Sequence, residues 1–299
     1  MSTTSVAETP AATPREDVAA LPRTQHLLSR LIRRPLGVIS LAVLVLLVIS
    51  AIFAPLIAPH SPDTISVIDR FHGPSSAHWF GTDELGRDLL SRLLYGGRIA
   101  LGISFGAAAI STILGVLWGF FAAQAGGLLD ELLMRTVDVV MAIPVILFAL
   151  VLVAAFGSHL PTLILIIGLL LTPASARLAR SAVLAEIRSD YYRAAVALGI
   201  PRVRILFGEL LPNAAPVIIA RTALAAADAM IIEASLSFIG LGVPPPSASW
   251  GTLVKDGYAQ IFHALYYVIF PGAVILLAIW ALNTLGDQLQ ELLDPRASR

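Results

Sequence analysis

The sequence is 299 residues long, 57% hydrophobic and only 13% charged, with a mean hydropathy of +0.82. That balance excludes an ordinary soluble domain and points to a chain that lives in a bilayer. The 20 basic and 20 acidic residues cancel, so no basic surface invites nucleic acid. Cysteine is absent, which removes disulfides, thiolate metal sites and cysteine nucleophiles. The single lysine, Lys255, follows Val254 rather than a glycine, so no ordinary phosphate-binding P-loop is present and any ATP hydrolysis must be borrowed from another chain.

Residues 1–22 are rich in Ala, Thr, Pro and Ser without apolar periodicity, and read as a disordered tail. Across residues 23–35, Leu27, Leu28, Leu31 and Ile32 share one side of a helix while Arg30, Arg33 and Arg34 take the other. This suits an interfacial helix on an anionic membrane surface, broken by Pro35. The apolar run from Leu36 to about Ala58 is too long and too deep in the chain for a secretory signal, and is expected to be a retained first membrane helix.

The segment from His60 to Arg98 carries Asp63, Asp69, Asp83, Glu84 and Asp88, but the spacing of a calcium-binding EF-hand is missing and no metal is expected. The plainer expectation is a helix capped by Thr82 or Asp83, with Leu85, Leu89 and Leu93 facing the membrane and Arg87, Asp88 and Arg92 in water. Five further apolar runs are long enough to span a bilayer: Ile99 to Gln124, Val137 to Phe156, Pro161 to Leu178, Ala214 to Gly240 and Leu265 to Leu285. The predicted architecture is therefore all-α with six membrane helices, the third and fourth forming a hairpin through the short link Gly157 to Leu160. Residues 36–98 hold the first helix and an external segment, and 99–285 a five-helix core. Residues 286–299 hold a short terminal helix stopped at Asp294-Pro295, and a tail.

With the N-terminus inside, only Arg70, Arg87, Arg92, Arg98 and Lys255 fall outside, and Arg221 falls within a span. The rest of the arginines lie on the cytoplasmic side together with both termini. Pro144, Pro161, Pro173 and Pro216 lie in or at the ends of spans and imply a packed bundle that re-satisfies the freed carbonyls. Gly102 with Gly106, and Gly115 with Gly119, form two small-residue pairs on the second span. Gly102 to Gly106 also spells a G-x-S-x-G elbow around Ser104. An intramembrane serine protease is disfavoured, because the motif lies within a helix and the histidines fall in tails or loops.

In the fifth span, Arg221 could snorkel to one end and Glu233 lies near the other. Asp228 sits mid-span, seven residues from Arg221, as either a pathway-lining group or half of a structural ion pair. Between the last two spans, Pro244-Pro245-Pro246 and then Trp250 read as a rigid cap at the membrane interface.

One insert stands apart. Asp190 to Asn213 breaks the apolar pattern with two short amphipathic helices. Asp190 is the expected N-cap, Ala194, Ala195 and Leu198 share a face, Gly199 supplies a left-handed turn, and Pro201 restarts a helix that Pro212 stops. A solvated loop lying on the membrane is the plain alternative. However, Arg193-Ala194-Ala195-x3-Gly199 followed by Leu211-Pro212 resembles the EAA loop of ABC importer permeases, with Arg193 where the general motif has Glu and Glu209 where many relatives place a basic residue. The stretches GTDELGRDLLSRLLYGGR (Gly81 to Arg98), DELLMRTVD (Asp130 to Asp138), EASLSFIGLGV (Glu233 to Val243), SWG and LLDPR are likewise similar to the C-type permease subunit of dipeptide, oligopeptide and nickel importers.

The resemblance covers roughly residues 30 to 296, and it implies the MetI-like fold of type I ABC importer permeases with no enzymatic activity and no cofactor of its own. It also implies a second homologous permease, two ATP-binding subunits and an extracytoplasmic substrate-binding protein as partners in a lipid membrane. On it, residues 186–212 form the coupling loop, with Tyr192, Arg193, Ala194, Ala195, Leu198, Gly199, Ile200, Phe207, Glu209, Leu211 and Pro212 meeting the ATPase. Arg221, Asp228 and Glu233 are pathway candidates, and Pro244, Pro245, Pro246 and Trp250 face the binding protein. An ion-coupled carrier or channel working alone is the rival, against which stands the lack of an internal duplication.

Overall fold

The computed structural model describes residues 34–293. The expected tail and most of the interfacial helix at residues 23–35 lie outside that range, as does Asp294-Pro295. The regular structure among the described residues is helical. In chain order the helices are α1 (Pro35–Ile52), α2 (Ala54–Ile57), α3 (Leu89–Ala125), α4 (Gly127–Met141), α5 (Val145–Phe156), α6 (Leu160–Ile187), α7 (Asp190–Ala197), α8 (Arg202–Ile205), α9 (Leu211–Ile239), α10 (Trp250–Ala259) and α11 (Tyr266–Leu293). A single π turn, Leu206–Leu210, joins α8 to α9.

Among the described residues, five helices are long and apolar enough to cross a membrane, and α4 with α5 makes a sixth crossing only as a broken pair bent by 86°. The third span, expected over Val137 to Phe156 with at most a kink permitted by Pro144, is thus a broken one. Pro144 lacks an amide hydrogen and its ring disfavours helical geometry at Ile143, so the chain turns there instead of kinking. The second span starts ten residues earlier than expected, at Leu89, because Asp88 rather than Thr82 or Asp83 caps it: the Asp88 carboxylate accepts from the Ser91 amide at 2.8 Å. At the other end of the chain, Gly286 to Leu293 is no separate helix but the last two turns of α11, since nothing in that stretch breaks the hydrogen-bond ladder.

Helix α3 runs through all three apolar clusters of the bundle. Leu89, Leu93 and Ala100 pack with α1, α9, α10 and α11, Ile103 and Ala107 with α5, α6 and α9, and Phe120 with α6 and the residues around Leu210. Its closest partner is α6, and small residues make that approach. A Cβ on Gly115 would lie 2.5 Å from Cβ of Ser175, one on Gly106 2.9 Å from the Ile164 side chain, and one on Gly168 of α6 2.8 Å from Cβ of Ile110. Gly119 likewise sits against the α6 backbone at Ala176, whereas Gly102 faces open space, so three of the four glycines of the small-residue pairs do the packing. In a bilayer, where lipid is as apolar as leucine, such close van der Waals contact and interhelical hydrogen bonds hold helices together. The bonds are present: Ser111 Oγ to Ser175 Oγ at 2.8 Å, Thr112 Oγ1 to Thr222 Oγ1 at 3.0 Å, and Ser104 Oγ donating to the Ala226 carbonyl at 2.5 Å. Ser104 is fully buried in that bond, which gives the G-x-S-x-G pattern a packing role.

Gly115→Val is expected to separate α3 from α6 and to lower the thermal stability of the detergent-solubilised protein by about 1–3 kcal/mol or more, the range for overpacking a core. Gly102→Ala, at the open position, should be neutral or stabilising by up to about 1 kcal/mol. Equal melting temperatures for the two variants would refute the close-approach account.

Candidate functional site

The helices alternate in direction, so the starts of α1 and α9 and the ends of α3, α6 and α11 share one end of the bundle, where the insert lies. Arg34 at the start of α1 meets Gln288 at 3.2 Å, and also Glu291, near the end of α11. At this end α7 and α8 form the expected bent knuckle. Gly199 takes φ +73°, the left-handed conformation a glycine adopts without strain, and Ile200 donates back to the Ala195 carbonyl at 3.1 Å. Ser189 rather than Asp190 occupies the cap position, and Asp190 opens the helix. Pro212 does not stop the second piece: it lies near the start of α9, just past the π turn, and α8, the π turn and α9 run on without interruption.

The knuckle has an inner and an outer side. Ile205 and Leu210 are fully buried in the cluster with Phe120 and Val183, and Tyr192, Ala195, Ile200 and Leu211 are half-buried against it. Tyr191 fastens the first helix at both sides, donating to Glu186 at 2.6 Å and accepting from Asn213 at 3.2 Å. Burial, and then the Glu186 carboxylate, hold its phenol above the ordinary value, so the donor stays protonated. Facing away are Arg193, Ala194, Gly199, Glu209 and Pro212, together with Leu198 and Phe207, which are 79% and 62% exposed. Of the two alanines expected to face a partner, Ala194 is exposed, whereas Ala195 is packed against the bundle.

At mid-height the bend between α4 and α5 opens a cavity of about 480 Å³, walled by residues around Ile143 and Pro144, by Leu170, Leu171 and Ala174 of α6, and by Arg221, Asp228, Ile231 and Ile232 of α9. Arg221 Nη2 donates to Asp228 Oδ2 at 3.2 Å, so the two charges form an ion pair on the cavity wall. Glu233 is placed elsewhere. It is 1% exposed, accepts from Ser237 Oγ at 2.7 Å and does not line the cavity.

Two further pairs were not anticipated. Asp130 takes a two-bond clasp from Arg180 at 2.5 and 2.6 Å, and Asp138 pairs with Arg177 at 2.5 Å, tying α4 to α6 through the two aspartates that bound the DELLMRTVD stretch. Charge alternation could have suggested them, but only the fold supplies the partners.

The opposite end departs most from expectation. Arg87, Asp88 and Arg92 are not in water and Leu89 and Leu93 are not toward lipid: all five are buried. Asp83, with no exposure, accepts from Arg87 Nε at 2.6 Å, Arg92 Nη1 at 2.7 Å and the Leu85 and Arg87 amides at 2.8 and 2.9 Å. A carboxylate with four donors can be buried charged, which an amphipathic reading of the segment cannot foresee. Trp250 is also inside, 2% exposed, with its indole donating to the Leu93 carbonyl at 2.9 Å, so it is a core residue rather than an interfacial cap. Pro244, Pro245 and Pro246 are exposed as expected.

Residues 115–299 match the family described as binding-protein-dependent transport system inner membrane component. The chain belongs to that family. Residues 23–74 match the N-terminal transmembrane domain of oligopeptide transport permease C. Relatives include a putative peptide transport system permease protein of Brucella suis biovar 1, 40% identical over 89% of this chain and 90% of the relative. The probable D,D-dipeptide transport system permease protein DdpC of Escherichia coli K12 is 38% identical over 88% of each chain. The oligopeptide transport system permease protein OppC of Bacillus subtilis is 35% identical over 87% of this chain and 86% of the relative. Among solved structures, the inward-facing MetNI methionine ABC transporter in its native crystal form matches with a TM-score of 0.57 at 19% identity, over 67% of this chain and 95% of that one, a likeness of fold. This membrane permease therefore has the importer fold expected from its sequence.

Two predictions follow from the charges. Asp83→Ala strands Arg87 and Arg92 in the interior and is expected to destabilise the permease by about 3–5 kcal/mol, seen as loss of folded protein, while Asp63→Ala, at an exposed position of the same segment, is neutral. For Arg221 and Asp228, a double-mutant cycle with Asp228→Asn and Arg221→Gln should give a coupling within about 0.5–3 kcal/mol, with part of the single variant's lost stability recovered in the double. Strict additivity would mean that the pair does not interact.

Proposed function

We propose that this permease is half of the translocation pathway of an ATP-driven importer, and that its cargo is a dipeptide or short oligopeptide. The cargo class rests on the peptide permeases among its relatives. The other half of the pathway is a homologous permease, the energy comes from two separate ATP-binding subunits, and substrate arrives from an extracytoplasmic binding protein that meets the end bearing Pro244 to Pro246. The arginine asymmetry supports a cytoplasmic location for both termini and the knuckle.

The observation that carries the proposal is the knuckle's outer side. Leu198 and Phe207 are held out on a pair of short helices whose inner side is locked to the bundle by Ile205, Leu210 and Tyr191. A loop meant only to be solvated would not need that ordered frame, and exposed apolar side chains on a rigid support mark a docking surface. Because α8 continues into α9, a push on the knuckle is delivered to the helix that carries Arg221 and Asp228 on the cavity wall.

The test separates docking from folding. Leu198→Asp and Ala194→Trp alter only exposed positions, and Gly199→Val strains the turn in open space. All three are expected to leave the permease inserted and monodisperse, yet to reduce co-purified ATPase subunits, or substrate uptake per ATP hydrolysed, by about tenfold or more, as losing about 1.4 kcal/mol of binding would. Normal uptake and full ATPase recovery in all three variants would leave the knuckle as a plain surface loop.

A further inference from the structure

At the end opposite the knuckle, His60, His78 and Asp88 come together from three separate stretches of chain, each offering one ligand atom, and these atoms lie within 4.8 Å of one another. Asp88 Oδ1 is 2.9 Å from His78 Nδ1 and 3.7 Å from His60 Nδ1, and the two imidazole rings lie 4.8 Å apart, tilted by 34°. One hydrogen bond, between His78 and Asp88, accounts for two of the three groups. His60 is left aimed at the same oxygen from beyond hydrogen-bond range.

Neither the histidines nor the aspartate arrives there by chance of a floppy surface. The Asp88 side chain has no exposure, and its second oxygen accepts from the Ser91 amide at 2.8 Å and the Ser91 hydroxyl at 2.7 Å. Ser91 Oγ in turn accepts from the His60 amide at 3.2 Å, which fixes the backbone of His60 against the first turn of α3. His78 is held in a tight turn by reciprocal bonds with Ser75. A carboxylate oriented through its other oxygen, with two imidazoles fixed beside it, is the outer support that metal ligands ordinarily have. The His60 side chain is 43% exposed, which leaves a way in and room for a solvent ligand.

We propose that His60, His78 and Asp88 bind a divalent metal ion of the zinc class, as a structural clip joining the segment after α2, the loop before Gly81 and the start of α3. Two imidazoles and one carboxylate suit zinc, and tetrahedral bonds of about 2.0–2.2 Å put neighbouring ligand atoms about 3.4 Å apart, against 2.9 and 3.7 Å from the histidines to Asp88 and a span of up to 4.8 Å across the group, so the two imidazoles draw together on binding. The ion takes the place of the proton between His78 and Asp88 and recruits His60, so binding ties the three stretches together and stabilises the folded end segment.

The full chain is extracted in detergent with a histidine-free tag, stripped with a chelator, and titrated with Zn²⁺ against a chromophoric competitor. One Zn²⁺ per chain is expected, together with a rise in melting temperature and a visible Co²⁺ spectrum of the tetrahedral type. His60→Ala removes a half-exposed side chain and keeps the backbone bond to Ser91, so the fold survives. Together with His78→Ala, it should weaken Zn²⁺ binding at least about tenfold and abolish the Co²⁺ spectrum, since even the loss of a supporting partner typically weakens a metal site about 10–100-fold. His72→Ala, in the same segment but outside the cluster, should change neither. Equal Zn²⁺ binding by the wild type and a folded His60→Ala/His78→Ala variant would overturn the site, as would a wild type that retains no Zn²⁺ above the competitor.

Discussion

The approach of α3 to α6 is the constraint on which the bundle depends. Glycines on both helices let the backbones come within side-chain-free distance, and a serine pair bonds across the gap at Ser111 and Ser175. Because α3 also reaches every apolar cluster, the line it takes past α6 sets where α9 and α11 pack, and hence where the Asp228 carboxylate meets the cavity. Lipid offers little preference between helices, so shape rather than hydrophobicity decides the arrangement.

The opposite end solves a different problem. A segment without long helices has to close the bundle between Ile52 and Leu89, and it does so around charge rather than around apolar side chains. Asp83 gathers two arginines and two backbone amides, while Asp88 starts α3 and meets His78. Buried ionic groups of this kind add little net stability over apolar packing but punish any rearrangement that separates them. They therefore give an irregular segment a single conformation.

Much of this was legible in the residue order, and the limits have physical causes. Apolar runs reveal where helices cross, and a glycine nine residues after the expected cap Asp190 reveals where the knuckle turns, because both follow from local chemistry at Leu36 to Ala58 or at Gly199. The pattern could not distinguish a kink from an 86° break at Pro144, since a proline permits either and neighbouring helices choose. Arg87, Arg92 and Trp250 were misplaced for a related reason. Polar and interfacial residues default to water unless buried partners satisfy them, and here the partners were Asp83, close in sequence to both arginines but itself buried, and the distant Leu93 carbonyl. Arg221 and Asp228 were found because a charge inside a span has few explanations.

The π turn at Leu206–Leu210 places one surplus residue between knuckle and span. Each helical residue advances the azimuth by about 100°, so this residue sets the angular phase between the exposed Leu198 and Phe207 and the cavity-lining Arg221 and Asp228. Length and orientation are thus locked together in this stretch. A change of sequence that conserves residue number leaves the two surfaces in register, whereas a gain or loss of one residue acts as a rotation of one against the other. Insertions and deletions across 206–210 accordingly carry a geometric cost on top of the packing lost around the buried Leu210.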